Sequence, residues 1–247
     1  MSGGKADLLE RLERLLSVGF QVSTAPSGAK VQLAGMYYLT KALRAAKAAR
    51  LLMGQGLLLE AFLVVRTLYN STVDFLWLCQ DLEARAERFY NSTAVSIEEL
   101  FKQHKALGGN VLPATEFHAE LNRHHFRQVH SDFQDRRGKI RKEWTPGSIR
   151  SRAESLAKAN SDLKVLADSY DWLYGTLSDY EHSAPYLAFQ YLSFEERTVR
   201  GVFSDVTHWD VARRIGNLLD VFIGLTVRQA IALEILTGES LGELGTV

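Results

Sequence analysis

Apolar positions recur at helical spacing along almost the whole chain. Asp7 to Leu16 carries leucines at 8, 9, 12, 15 and 16 and reads as a short amphipathic helix. Gly19 to Gly28, with Ser23 and Pro26, reads as a connection. The pattern then predicts a helix over Lys30–Met53, with Lys41, Arg44, Lys47 and Arg50 forming a basic stripe at three- and four-residue spacing. Gly54-Gln55-Gly56 ends it. A strongly apolar helix follows from Leu57 to about Gln80, and a charged one from Leu82 to about Tyr90. Another helix is expected over Ser96–Leu107, where Ser96 and Glu99 fit a capping box.

Pro113 or Ala114 starts a polar, histidine-rich helix running to about Asp135, and Arg136 to Pro146 is a basic connection. Thr145-Pro146-Gly147-Ser148 leads into a helix over Ile149–Ala159, and Ser161 to about His182 is the next long one. Phe194 to Ser204 is the least helical stretch, with strand character over Thr198–Phe203. Asp205 or Thr207 caps a last long helix that runs to Leu236. Neither a repeat nor a low-complexity tract nor a linker interrupts the pattern. The expected fold is all-α, a single helical bundle domain over residues 1–247 with about eight helices and long central ones.

Composition narrows the functions open to such a fold. At 46% hydrophobic and 23% charged residues the 247-residue chain has ample material for a core. Its 29 Lys and Arg balance 29 Asp and Glu, which excludes a protein built as a whole to coat nucleic acid or anionic membrane. One cysteine, Cys79, allows neither an internal disulfide nor a multi-thiolate metal site, so a cytoplasmic location is expected. The apolar stretch Leu57–Leu78 contains Glu60, Arg66 and Asp74, and Leu218–Leu236 contains Asp220, Arg228 and Glu234. Each such charge costs about 2.5–3.5 kcal/mol at mid-bilayer, so buried helices are expected rather than membrane spans.

Three groups of residues carry chemistry. Arg66, Asn70 and Asp74 stand at i, i+4 and i+8, a polar line on an otherwise apolar helix that serves either as internal struts or as part of a pocket. On the later helix Tyr174, Ser178 and His182 also step by four, and Tyr170 precedes them by another four. His182 at the helix end would feel the dipole as a protonated imidazole, and either caps the helix or works as a titrating group. Ser178 has no nucleophile elbow around it. The third group is Phe117 to His130, which holds four of the seven histidines. His118, Asn122, His125 and Asp132 share a face there but lack a compact ligand spacing, so no metal and no cofactor is expected. From His118 to Lys158 ten basic residues oppose five acidic ones, a local net of +5. Arg127, Arg136, Arg137, Lys139, Arg141 and Lys142, interleaved with Phe126, Phe133 and Trp144, read either as a solvated face or as a surface for RNA or phosphate.

Ala61 to Tyr90, taken with Trp144, Ser148, Ile149 and Arg150 and with Tyr174, Leu177, Ser178 and His182, resembles a bacterial family known as domain of unknown function 5677. The resemblance covers about residues 50–190, with N-terminal helices over 5–53 and a C-terminal helix over 207–237 outside it. A glutamate common in that family four residues after the arginine is Asn70 here. The family brings an expectation of fold and no activity.

More distantly, the chain is similar to HEPN ribonucleases, helical bundles of toxin–antitoxin and phage-defence systems. Their arginine, polar residue and downstream histidine are matched by Arg123-His124 and His130. That resemblance implies metal-independent RNA cleavage with Arg123 and His130 as catalytic residues, the histidine moving protons and the arginine holding phosphorane charge. The reading that leads is a non-catalytic component of a defence or regulatory system, a homodimer that binds RNA or a partner protein. The ribonuclease is its alternative.

Overall fold

The computed structural model describes residues 26–106, 133–134, 138, 144–145, 147–181, 192–195, 198–201 and 209–232. Among them the chain is all-α, with six α-helices: α1 (Pro26–Gly54), α2 (Leu58–Cys79), α3 (Leu82–Ala106), α4 (Ile149–Ala159), α5 (Lys164–Glu181) and α6 (Trp209–Ala232). A small antiparallel hairpin, β1 (Leu192–Glu195) with β2 (Thr198–Gly201), sits before α6 and pairs Phe194 with Val199. The expected helix over 7–16, residues 113–132 of the one expected over 113–135, and the caps Asp205 and Thr207 lie outside the described residues, and Phe133 and Gln134 near that helix's expected end are not α-helical.

Two boundaries differ from the sequence pattern. α1 begins at Pro26 rather than Lys30. A proline fits the first helical position because no intrahelical acceptor awaits its missing N–H. α3 is one helix where two were expected. No glycine or proline interrupts residues 82–106, and Ser92 turns its hydroxyl back onto the Phe89 carbonyl at 2.6 Å, so the polar stretch satisfies itself without leaving the helix.

The end of α1 follows from Gly56. Its φ of 74° is cheap only for glycine. In that conformation Leu57 N–H reaches the Leu52 carbonyl at 2.9 Å and Gly56 N–H reaches that of Met53 at 3.1 Å, a Schellman closure that reverses the chain into α2.

The described residues form two compact units. The first takes in Gly35–Gln80 and the described residues from Ile149 onward. Its centre is α2, which packs against α4, α5 and α6 and is buried on nearly every side from Val65 to Leu78. Tyr38 of α1 stacks on Phe75 at 5.9 Å. Hydroxyls inside this core are absorbed locally. Ser71 donates to the Thr67 carbonyl at 2.8 Å, and Thr72 and Thr226 share a hydrogen bond of 2.9 Å between α2 and α6.

The second unit takes in the described residues up to Ala34 and within Asp81–Ser148. Here Arg88 donates to the Trp144 carbonyl at 2.7 Å and lies 4.6 Å from the Phe133 ring centre, while Phe89 meets Trp144 edge-on at 5.4 Å. Phe133 is fully buried against Val95 and Trp144. It is therefore a core residue, not one of the stacking aromatics of a basic RNA surface. Lys30 pairs with Glu87 and lies over the Tyr90 ring.

Candidate functional site

The polar line on α2 divides between two neighbours. A step of four residues overshoots a full helical turn by about 40°, so Arg66 and Asp74 differ by about 80° in direction. Arg66 and Asn70 face α5, where the Arg66 guanidinium lies 4.4 Å from the Tyr174 ring centre and Tyr174 Oη donates to Asn70 Oδ1. Asp74 faces α4 instead, with its Oδ1 2.9 Å from Arg152 Nη2. Arg152 is only 7% exposed. It belongs to the core, although its charge counted toward the basic run. Its place was legible: Ile149, Arg152, Ala153 and Leu156 stand at i, i+3, i+4 and i+7, one helical stripe.

Around Tyr174 two stacked rings lie between two cations. Tyr170, one turn earlier on α5, stacks on Tyr174 with 4.4 Å between ring centres and 18° between planes. Arg150 of α4 lies 5.6 Å from the Tyr170 ring centre. Its side chain is 54% exposed, its Nε donates to Glu154 Oε1 at 3.0 Å, and its Nη1 is 3.5 Å from Asp171 Oδ1. Two guanidiniums and two nearly parallel phenol rings thus run together from α4 across α5 to α2. Beside them Trp172 meets Phe62 edge-on at 4.5 Å and carries Arg214 of α6 at 5.7 Å. Sequence spacing found Tyr170 and Tyr174 on one helix and Arg66 on another, but not that Arg66 and Arg150 lie over the two rings, because those contacts join different helices.

Underneath, Tyr69 is fully buried, donates to the Leu166 carbonyl at 2.8 Å, and meets Phe222 and Tyr174 edge-on at 5.3 and 6.3 Å. It fixes the height at which Tyr174 stands.

Ser178 lies on the α5 backbone, with no described side chain. His182, Arg123 and His130 lie outside the described residues, as do Arg127, Arg136, Arg137, Lys139, Arg141 and Lys142. Among the described residues no three histidine, cysteine or acidic side chains come together to hold a metal. None of the described helices is long and apolar enough to cross a membrane.

Burial governs the titration of the core acids. It raises the Tyr174 phenol despite its hydrogen bonding with Arg66 and Asn70 and the Arg66 charge, and raises Tyr69 well above the usual phenol range. The Cys79 thiol is pushed up to about 12, with a hydrogen bond to Gln229 opposing. All three are neutral in the fold at pH 7, and each would release its proton more easily in the unfolded chain, the thiol near 8.5 and the phenols near about 10. Their contribution to stability is therefore complete below about pH 8.5 and is lost as pH rises, at up to ~1.4 kcal/mol per pH unit per group. Melting temperature measured from pH 7 to 11 should fall above about pH 9, less steeply for Cys79→Ala. Native Cys79 should react with a thiolate-selective reagent about a thousandfold more slowly than in the denatured chain. Equal rates would contradict its burial.

Neither a curated protein nor a solved structure matches the chain. A family's sequence model matches residues 32–199, wider at both ends than the stretch that carried the resemblance and spanning all of α2 to α5. With more than half of its length matched, the chain belongs to the family of unknown function (DUF5677).

Proposed function

We propose that this protein is a non-catalytic binding module that holds single-stranded RNA against the α4–α5 face of its first unit. One observation supports the reading above the others: Arg150, Tyr170, Tyr174 and Arg66 form a row across three helices in which two stacked rings lie between two cations. A base needs only a π-face to stack on and a phosphate needs a cation within reach, and that pairing is what sequence-tolerant single-strand binders present. Arg66 lies close over its ring at 4.4 Å, while Arg150 sits more loosely at 5.6 Å and more exposed. The tight pair shapes the platform; the loose one can swing from Tyr170 to a phosphate and leave that ring to a base.

Titration of fluorescently labelled oligouridine in EDTA tests this. Wild-type protein should bind with an affinity that falls linearly in log–log form with salt. Tyr170→Ala and Arg150→Ala should each weaken binding by about tenfold, the range for one stacked base, without cleavage. Absence of binding refutes the proposal. Cleavage in EDTA that is lost in Arg123→Ala and His130→Ala refutes it in favour of a metal-independent ribonuclease.

A further inference from the structure

α1 is one continuous helix, and from Lys30 to Leu51 its exposed residues are Leu33, Tyr37, Arg44, Lys47 and Leu51. At about 100° per residue these five, with the half-buried Thr40, span an arc of only about 80°. Leu33 and Leu51 lie five full turns apart, about 27 Å, and point the same way. Three of the five are large apolar side chains, with Leu33 49%, Tyr37 48% and Leu51 63% exposed. The opposite side of the helix has already buried Tyr38, Leu39, Ala42, Leu43, Ala46 and Ala49, so this outward stripe should be polar in a helix that packs on one side only. The steps from 33 through 37, 40, 44, 47 to 51 alternate four and three, the spacing of a coiled-coil seam.

We infer that a second copy of this chain covers the stripe, with the two α1 helices antiparallel and their two-fold axis midway between Thr40 and Arg44. Residue numbers that meet across such an axis sum to a constant. Leu33 then faces the partner's Leu51, Tyr37 faces the partner's Lys47, and Thr40 faces the partner's Arg44. Every facing pair is compatible: apolar with apolar, ring with ammonium, hydroxyl with guanidinium. A parallel arrangement would set each residue against itself and bring Arg44 to Arg44 and Lys47 to Lys47; the antiparallel register lessens that repulsion, moving the two Lys47 about 15 Å and the two Arg44 about one turn apart along the seam. An isologous contact of this kind closes as a dimer and leaves no free copy of the stripe.

The full-length chain carrying both Leu33→Cys and Leu51→Cys tests the seam by mild oxidation, with wild type as control for the half-buried Cys79. A disulfide-linked dimer from the double variant, and none from either single variant or wild type, is the expected result. Light scattering should show a wild-type dimer, and Tyr37→Glu with Leu51→Glu should raise its dissociation constant at least about a hundredfold. A monomeric wild type, cross-linking of Leu33→Cys or Leu51→Cys alone, or a dimer untouched by the glutamates would each overturn the inference. None of these outcomes depends on whether the protein binds RNA.

Discussion

Replacing Arg152 by alanine should destabilise the protein by about 3–5 kcal/mol, the largest effect expected of any single charge in the described structure. Arg152 and Asp74 meet at 2.9 Å between α4 and α2, with little of either side chain reaching water. Burial raises the Asp74 carboxyl, and the charges of Arg152 and Lys41 oppose that rise. Without Arg152 an uncompensated carboxylate stays inside, so its pKa climbs further. An acid raised in the fold stabilises only below its unfolded value, near 3.9, and loses that contribution as pH rises through the folded one. The Arg152→Ala variant should therefore fall further below wild type at pH 7 than at pH 4. The paired replacement Arg152→Met with Asp74→Leu removes both charges and should recover most of the loss. Chemical denaturation of the three proteins checks this, and a loss below about 1 kcal/mol for Arg152→Ala would place the pair effectively in solvent.

Tyr69→Ala should cost about 3–5 kcal/mol, since a fully buried ring leaves a cavity among α2, α5 and α6. Tyr69→Phe separates the two parts of that loss. It keeps the ring against Phe222 and removes only the donor to the Leu166 carbonyl, a change of about 1–2 kcal/mol. Because Tyr69 also supports Tyr174, the alanine variant should weaken RNA binding in conditions where it remains folded, whereas the phenylalanine variant should not. Equal destabilisation by both replacements would mean that the hydrogen bond, rather than packing, carries the residue's contribution.

Helix identity was legible in the chain, because apolar period and glycine punctuation are local properties. Ile149–Ala159 and the break at Gly54 to Gly56 needed nothing else. The start at Pro26 and the fusion of residues 82–106 were missed because proline and serine each break helices in some positions and fit them in others. In Ser161–Glu181 only the first turn differs. It is a 3-10 turn capped by Asn160, whose side chain accepts from Asp162 N–H at 2.9 Å.

The candidate face was half legible. Four-residue spacing put Arg66 and Asn70 on one side of α2 and Tyr170 and Tyr174 on one side of α5. It could not show that these sides meet, that Asp74 turns away, or that Arg150 arrives from a third helix. Contacts between helices depend on packing angles that no single helix's period contains. Charge counting misled in one respect. Arg150 and Arg152 are two residues apart and add equally to a sum, yet one is exposed over a ring and the other is sealed in the core.

Photo-cross-linking of 4-thiouridine RNA to the full-length protein, with the adduct located by mass spectrometry, tests the binding face most directly. An adduct on Tyr170 or Tyr174, within the peptide spanning Lys164–Glu181 of α5, is expected, and it should disappear in Tyr170→Ala. Bound RNA that cross-links only to residues outside α4 and α5 would contradict it.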